Sequence, residues 1–182
     1  MFTNLKNRTT TLGSAFLRLV VITGILTMLS ACQEDLVPDD SALSQDATGM
    51  TLDDFTVTLN TDSSLGLTQT LTTHDAVVLY FTMWCPICDS HMTHIRNHLV
   101  DAYPNVSFIM VDYVSGSLQD SRASQLASGY SDFDVIADTD DALQDLLQGT
   151  MGSIVVIDKN QVVLLNEYFK NDASLVAILN NL

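Results

Sequence analysis

Ala76-Val77-Val78-Leu79-Tyr80-Phe81 is an unbroken apolar run, and the chain reaches Cys85-Pro86-Ile87-Cys88 only three residues later. So short a run suits a central strand buried on both faces. From Pro86 to about Tyr103 the spacing turns helical, with Met92, Ile95 and Leu99 on one stripe. The two cysteines are thus expected where a core strand gives way to a helix. That junction has a chemical use. A cysteine at a helix N-terminus meets unpaired amides and the positive end of the macrodipole, both of which favour the thiolate. Pro86 in the first turn costs little, because the amide it lacks has no helical partner. Cys88, one turn on, points back toward Cys85 and can resolve a mixed disulfide. Cys85 is therefore expected to be the exposed nucleophile and Cys88 the more buried resolving thiol. A purely structural clip is the bland alternative, but so short a loop would stabilise little.

Further elements follow from the patterning. Phe55, Val57 and Leu59 alternate with Thr56 and Thr58, a half-buried strand. After Asp62-Ser63-Ser64, a second short strand around Leu67–Leu71 would complete an N-terminal hairpin. Val106–Val111 reads as a buried strand, Ser117–Ser128 as a helix, Phe133–Ile136 as a strand and Asp140–Leu147 as a helix. Ile154–Ile157 and Gln161–Leu165 flank Asp158-Lys159-Asn160 as an antiparallel hairpin, and Asp172–Leu179 closes the chain as a helix. The fold class is α/β, a sandwich in which helices flank a mixed central sheet.

The N-terminus bears on location. Residues 1–31 carry Lys6, Arg8 and Arg18 and no acid, followed by an apolar run too short and too broken for a comfortable membrane span. Leu29-Ser30-Ala31-Cys32 resembles the lipobox of bacterial lipoproteins. The resemblance implies a signal peptide over 1–31, with Cys32 acylated as the first mature residue. Residues 32–52 are polar, acidic and aperiodic, a flexible tether reaching about 25 Å, and 53–182 form the folded domain. From Cys32 onward four Lys+Arg face 22 Asp+Glu, a formal charge of −18 that disfavours a nucleic-acid partner. The expected location is the bacterial cell envelope, lipid-anchored and periplasm-facing. The outer membrane is favoured, because Gln33 replaces the aspartate associated with inner-membrane retention in enteric lipoproteins. With Cys32 assigned to the lipid, only Cys85 and Cys88 remain, so no four-cysteine zinc site is available.

Tyr80-Phe81-Thr82-Met83-Trp84-Cys85-Pro86-Ile87-Cys88 resembles the active-site junction of the thioredoxin superfamily, most of all its TlpA-like and ResA-like exported redoxins. The similarity covers most of 53–182. It implies a thioredoxin-like sandwich with an N-terminal hairpin, and a thiol–disulfide oxidoreductase acting on protein thiols and disulfides of the envelope, with no cofactor. It further implies that Trp84 shields the disulfide. The family's cis-proline position, beside the thiols, falls on Gly152 in Thr150-Met151-Gly152-Ser153. The resemblance therefore departs here, with a trans or differently shaped loop and glycine facing the sulfurs.

Two other chemistries are open at this level. His91, His94 and His98 follow Cys88 at helical spacing, and Cys85, Cys88 and His91 would offer a soft copper site. Such a site would make the chain a copper-binding or metallochaperone-type protein. Thr82, three residues before Cys85, has the threonine–cysteine spacing of peroxiredoxins, although Val78 and Gly152 stand where that family's proline and arginine belong.

Overall fold

A computed structural model describes residues 47–182. The signal segment, Cys32 and most of the acidic tether lie outside the described residues. The N-terminal hairpin pairs β1 (Thr56–Thr58) with β2 (Ser64–Gly66) in antiparallel fashion. Its second strand ends where one was expected to begin. Leu67–Leu71 is a short helix, α1, which buries Leu67 against the sheet's core. Five residues with leucines four apart satisfy a helix as well as a strand, and here Thr70 Oγ1 donates to the Gly66 carbonyl at 2.9 Å in helical fashion.

Five strands make the main sheet: β3 (Ala76–Thr82), β4 (Val106–Asp112), β5 (Asp134–Ala137), β6 (Ser153–Asp158) and β7 (Val163–Tyr168). Their spatial order is β5-β4-β3-β6-β7; β3, β4 and β5 run parallel, and β6 and β7 are antiparallel to their neighbours. The expected mixed sheet is therefore present, with β3 at its centre and every residue of β3 buried. Alternation divides the run between two cores. Val78 and Tyr80 face Cys88, Met92, Ile95 and Leu99, while Val77, Leu79 and Phe81 face Leu67, Leu143 and Leu147. Each large apolar side chain so buried contributes about 1.5–3 kcal/mol relative to exposure, which is why an apolar run without alternation belongs at this place.

The motif helix, α2 (Pro86–His94), continues as a wider π-helical turn over Ile95–Val100. The helices α3 (Leu118–Ala127), α4 (Ala142–Leu147) and α5 (Ala173–Leu179) complete the layers. The last hairpin turns tightly because Asp158 Oδ1 accepts the amides of Asn160 (2.9 Å) and Val162 (2.8 Å). β7 starts two residues later than the patterning suggests, and its pairing with β6 shifts register at Val156/Ile157.

The folded region also begins before Asp53. Ala47 and Leu52 are buried, the Gly49 amide donates to the Val163 carbonyl at 2.8 Å, and Thr51 pairs with Val162. The last six residues assigned to the tether are therefore an edge segment of the domain. Among the described residues, no helix is long and apolar enough to cross a membrane.

Candidate functional site

The parallel strand β3 delivers its C-terminal end to the N-terminus of α2, as the sequence motif requires. Cys85 is the helix N-cap, with extended dihedrals (φ −88, ψ 165), and its Sγ accepts the Cys88 amide at 3.3 Å. Pro86 occupies the first turn. Both cysteines are free thiols, Cys85 partly exposed and Cys88 fully buried. The two thiols are close enough to influence one another's ionisation, so they titrate as a pair. Burial raises Cys85 and the Cys88 side chain adds to the rise, contrary to the expectation that the helix N-terminus would favour the thiolate there. Burial opposes ionisation at Cys88 too, but hydrogen bonds from Cys85, the Met83 and Cys85 backbone and Thr82 outweigh it and lower that thiol. Among the described residues, the pair thus combines one reachable sulfur with one sheltered sulfur whose charge is supported.

Trp84 pays for its position with strain: it holds a left-handed backbone (φ 56), which costs a non-glycine residue about 1–3 kcal/mol. Two hydrogen bonds hold it there. Its amide donates to Thr82 Oγ1 at 3.1 Å, and its indole Nε1–H donates to Asp112 Oδ2 at 2.8 Å. Asp112, at the end of β4 and 2% exposed, receives the Val114 and Ser115 amides on its other oxygen, each at 3.1 Å. Nothing in the motif's spacing flagged Asp112. An acid closing a seven-residue strand whose other residues, Ser107 apart, are apolar was the available signal.

Met151, not Gly152, lies against Cys85: its Sδ is 3.6 Å from Cys85 Sγ. Among the described residues every peptide bond is trans. Gly152 has φ 81, its amide donates to the Phe81 carbonyl at 2.9 Å, and a Cβ there would stand 2.5 Å from Tyr168 Cε2. The glycine is thus needed for the turn and for the close passage of Tyr168. The expectation that glycine faces the sulfurs missed by one residue.

His91 does not join the cysteines. Its Nδ1 shares a 2.9 Å hydrogen bond with the Tyr80 hydroxyl, and its ring packs edge-on to Tyr80, Tyr168 and Phe169. Burial, then the neighbouring His94, lowers its pKa. His94 Nε2 bonds Asp172 Oδ2 at 2.9 Å, and His98 stacks on His94. Among the described residues, no three His, Cys, Asp or Glu side chains converge to hold a metal ion. The three side chains Cys85, Cys88 and His91 are not brought together among the described residues; His91 Nδ1 is turned to the Tyr80 hydroxyl instead. Asp89, next to Cys88, is likewise turned away, accepting the Tyr130 hydroxyl at 2.7 Å. Thr82 is fully buried, and its hydroxyl accepts the Trp84 amide at 3.1 Å.

Neither a family model nor a curated protein matches the chain. Solved structures do. A putative thiol:disulfide interchange protein DsbE from Chlorobium tepidum aligns at 21% identity over 72% of this chain and 97% of its own, with a TM-score of 0.58. A putative protein disulfide isomerase from Bacteroides thetaiotaomicron aligns at 21% identity over 74% and 86%, TM-score 0.57. The exposed lipoprotein thioredoxin Etrx1 of Streptococcus pneumoniae aligns at 19% identity over 71% and 100%, TM-score 0.53. The fold of this chain is thioredoxin-like.

Proposed function

We propose that this protein is a thiol–disulfide oxidoreductase of the bacterial envelope, with Cys85 the attacking sulfur and Cys88 the resolving one. One observation carries the reading. A partly exposed cysteine caps a helix while a second, one turn on and fully buried, bonds back to it. That geometry makes one sulfur available to a partner and keeps the other for the intramolecular step. The fold neighbours include a DsbE-type interchange protein and an exposed lipoprotein thioredoxin, which supports both the chemistry and an extracytoplasmic location. Export by the 1–31 signal and lipidation at Cys32 would tether the domain at the periplasm-facing side of a membrane, the outer one by the Gln33 criterion.

The substrates are protein thiols and disulfides. Met83 and Ile87, which flank Cys85 in the chain, are 44% and 46% exposed, and Val114, just beyond the Trp84 anchor, is 44% exposed. Apolar side chains left in water around a reactive sulfur suit an extended or partly unfolded polypeptide better than a small polar thiol.

Trapping tests the assignment. Cys88→Ser should accumulate mixed disulfides with envelope proteins, and Cys85→Ser should accumulate none. In the reduced protein, iodoacetamide should modify Cys85 far faster than Cys88. Equal modification rates with no trapped partner would remove the oxidoreductase reading.

A further inference from the structure

Met151 brings a third sulfur to the two cysteines. Its Sδ accepts the Cys85 thiol at 3.6 Å, and Cys85 Sγ in turn accepts the Cys88 amide at 3.3 Å. Cys85 and Met151 both pack against the core cluster that contains Cys88. The loop presenting Met151 is tied down on both sides. The Thr150 amide donates to Ser153 Oγ at 3.0 Å and the Gly152 amide to the Phe81 carbonyl at 2.9 Å, while the Gly152 carbonyl accepts the Phe169 amide at 2.8 Å. β3 and the residue after β7 thus hold the thioether in place beside Cys85, so little ordering is needed for it to serve as a ligand.

Two thiols and a thioether are soft ligands, of the kind that select Cu(I). Among the described residues no three His, Cys, Asp or Glu side chains converge, and His91 Nδ1 is engaged by Tyr80. Hard cations such as magnesium or calcium, which take oxygen ligands, therefore find no carboxylate set here. Beyond the oxidoreductase reading above, we propose that Cys85, Cys88 and Met151 form a three-sulfur site for a Cu(I) ion.

The proton that Cys85 shares with Met151 marks where the ion would sit. Metal–thiolate bonds run about 2.3 Å in zinc sites, and on that scale sulfurs 3.6 Å apart subtend about 103° at a common ion. Trigonal coordination, at about 120°, needs them only about 0.4 Å further apart, within the play of methionine's three rotatable bonds. The charge also balances. Cu(I) and two thiols give a dithiolate complex with a single net negative charge, and both thiol protons are released to water. The thioether is neutral, so its bond to the ion adds no further charge to a site that is partly out of water. Cys88 is fully buried, whereas Cys85 and Met151 are partly exposed, so the ion would enter from the side of Cys85. With Cu(I) bound, Cys85 has no free sulfur with which to attack a disulfide, so metal loading and thiol exchange exclude one another.

Anaerobic titration of the reduced protein with Cu(I), against bicinchoninate as competing chelator, measures the affinity, and X-ray absorption at the copper edge counts the sulfurs around the ion. Wild type should take up Cu(I) in a shell of three sulfurs. Met151→Leu keeps a side chain of similar size and leaves both cysteines in place. It should show two sulfurs and bind at least about tenfold more weakly, the lower end of what even a lost outer-shell partner costs a metal site. Met83→Leu, which removes an exposed methionine two residues before Cys85, should match wild type. Cys85→Ser and Cys88→Ser should each lose tight binding, which assigns the ion to this pair and not to Cys32. Equal affinity in wild type and Met151→Leu, with two sulfurs in both, would overturn the site. So would tight binding retained in either serine variant, and Zn(II) held by wild type as tightly as Cu(I) would overturn the choice of ion. None of these outcomes touches disulfide exchange, which trapping by Cys88→Ser tests separately.

Discussion

Asp112→Asn is the substitution that most sharply probes how the site is held together. The carboxylate is 2% exposed and accepts three hydrogen bonds, from the Trp84 indole on Oδ2 and from the Val114 and Ser115 amides on Oδ1. All three partners are donors, whereas an asparagine of the same shape offers one acceptor oxygen and one NH2. The cheaper orientation keeps the two backbone amides and turns the NH2 toward the indole N–H, donor against donor. Hydrogen bonds to a charged group contribute about 1.5–3 kcal/mol net, so losing the Trp84 bond should cost about 2–3 kcal/mol. The positive φ of Trp84 also loses one of its two restraints. Trp84 is the only tryptophan in the sequence, so its emission reports on the site directly. In urea, with a slope of about 1–3 kcal/mol per molar for small domains, the unfolding midpoint should fall by about 1–2 M, and native emission should shift to the red. A midpoint within experimental error of wild type, with emission unmoved, would show that Asp112 does not anchor the indole.

Other outcomes follow from single contacts. Gly149→Ala places a Cβ 2.2 Å from Phe81 Cε1 in the core, so thermal unfolding should show a loss of at least about 1–3 kcal/mol, typical of overpacking; an unchanged midpoint would contradict the packing described. Met151→Ala uncovers Cys85 Sγ, and iodoacetamide should modify Cys85 several-fold faster; no acceleration would mean the thioether does not shield it. His91 binds its proton more weakly folded than unfolded, so its contribution is present above the unfolded value of about 6.5 and is lost as pH falls below it. The melting temperature should therefore drop from pH 7 to pH 5, and less steeply in His91→Phe; equal slopes would contradict the burial assigned to the ring.

The parts of the fold legible in sequence were those with one physical solution. Ala76–Phe81 has apolar side chains at successive positions, which only burial on both faces satisfies, and β3 lies at the sheet's centre. The switch from strand to helix at Cys85-Pro86 was equally unambiguous, since proline is tolerated in a first helical turn and the cysteine caps it. Leu67–Leu71 was not, because two leucines four apart over five residues fit either element. Ala47–Leu52 looked like tether because its polar composition hides two buried residues and a few backbone pairings with β7 and its turn. At the site, chain-local features were readable and cross-chain ones were not. The pairing of Asp112 with Trp84, of Tyr80 with His91, and of Met151 with Cys85 joins residues 28, 11 and 66 apart in sequence. None carries a local periodicity. Helical spacing placed His91 near Cys88 but could not show that Tyr80 would hold its ring.

The central claim is that Cys85 and Cys88 cycle between dithiol and disulfide at a physiological potential. Redox titration in glutathione buffers, read by Trp84 emission and by mass spectrometry of alkylated protein, measures this directly. The account predicts a single reversible two-electron transition between about −120 and −270 mV, the span of catalytic dithiols, lost in both Cys85→Ser and Cys88→Ser. A pair that stays reduced across that range, or a disulfide still intact below it, would contradict the account.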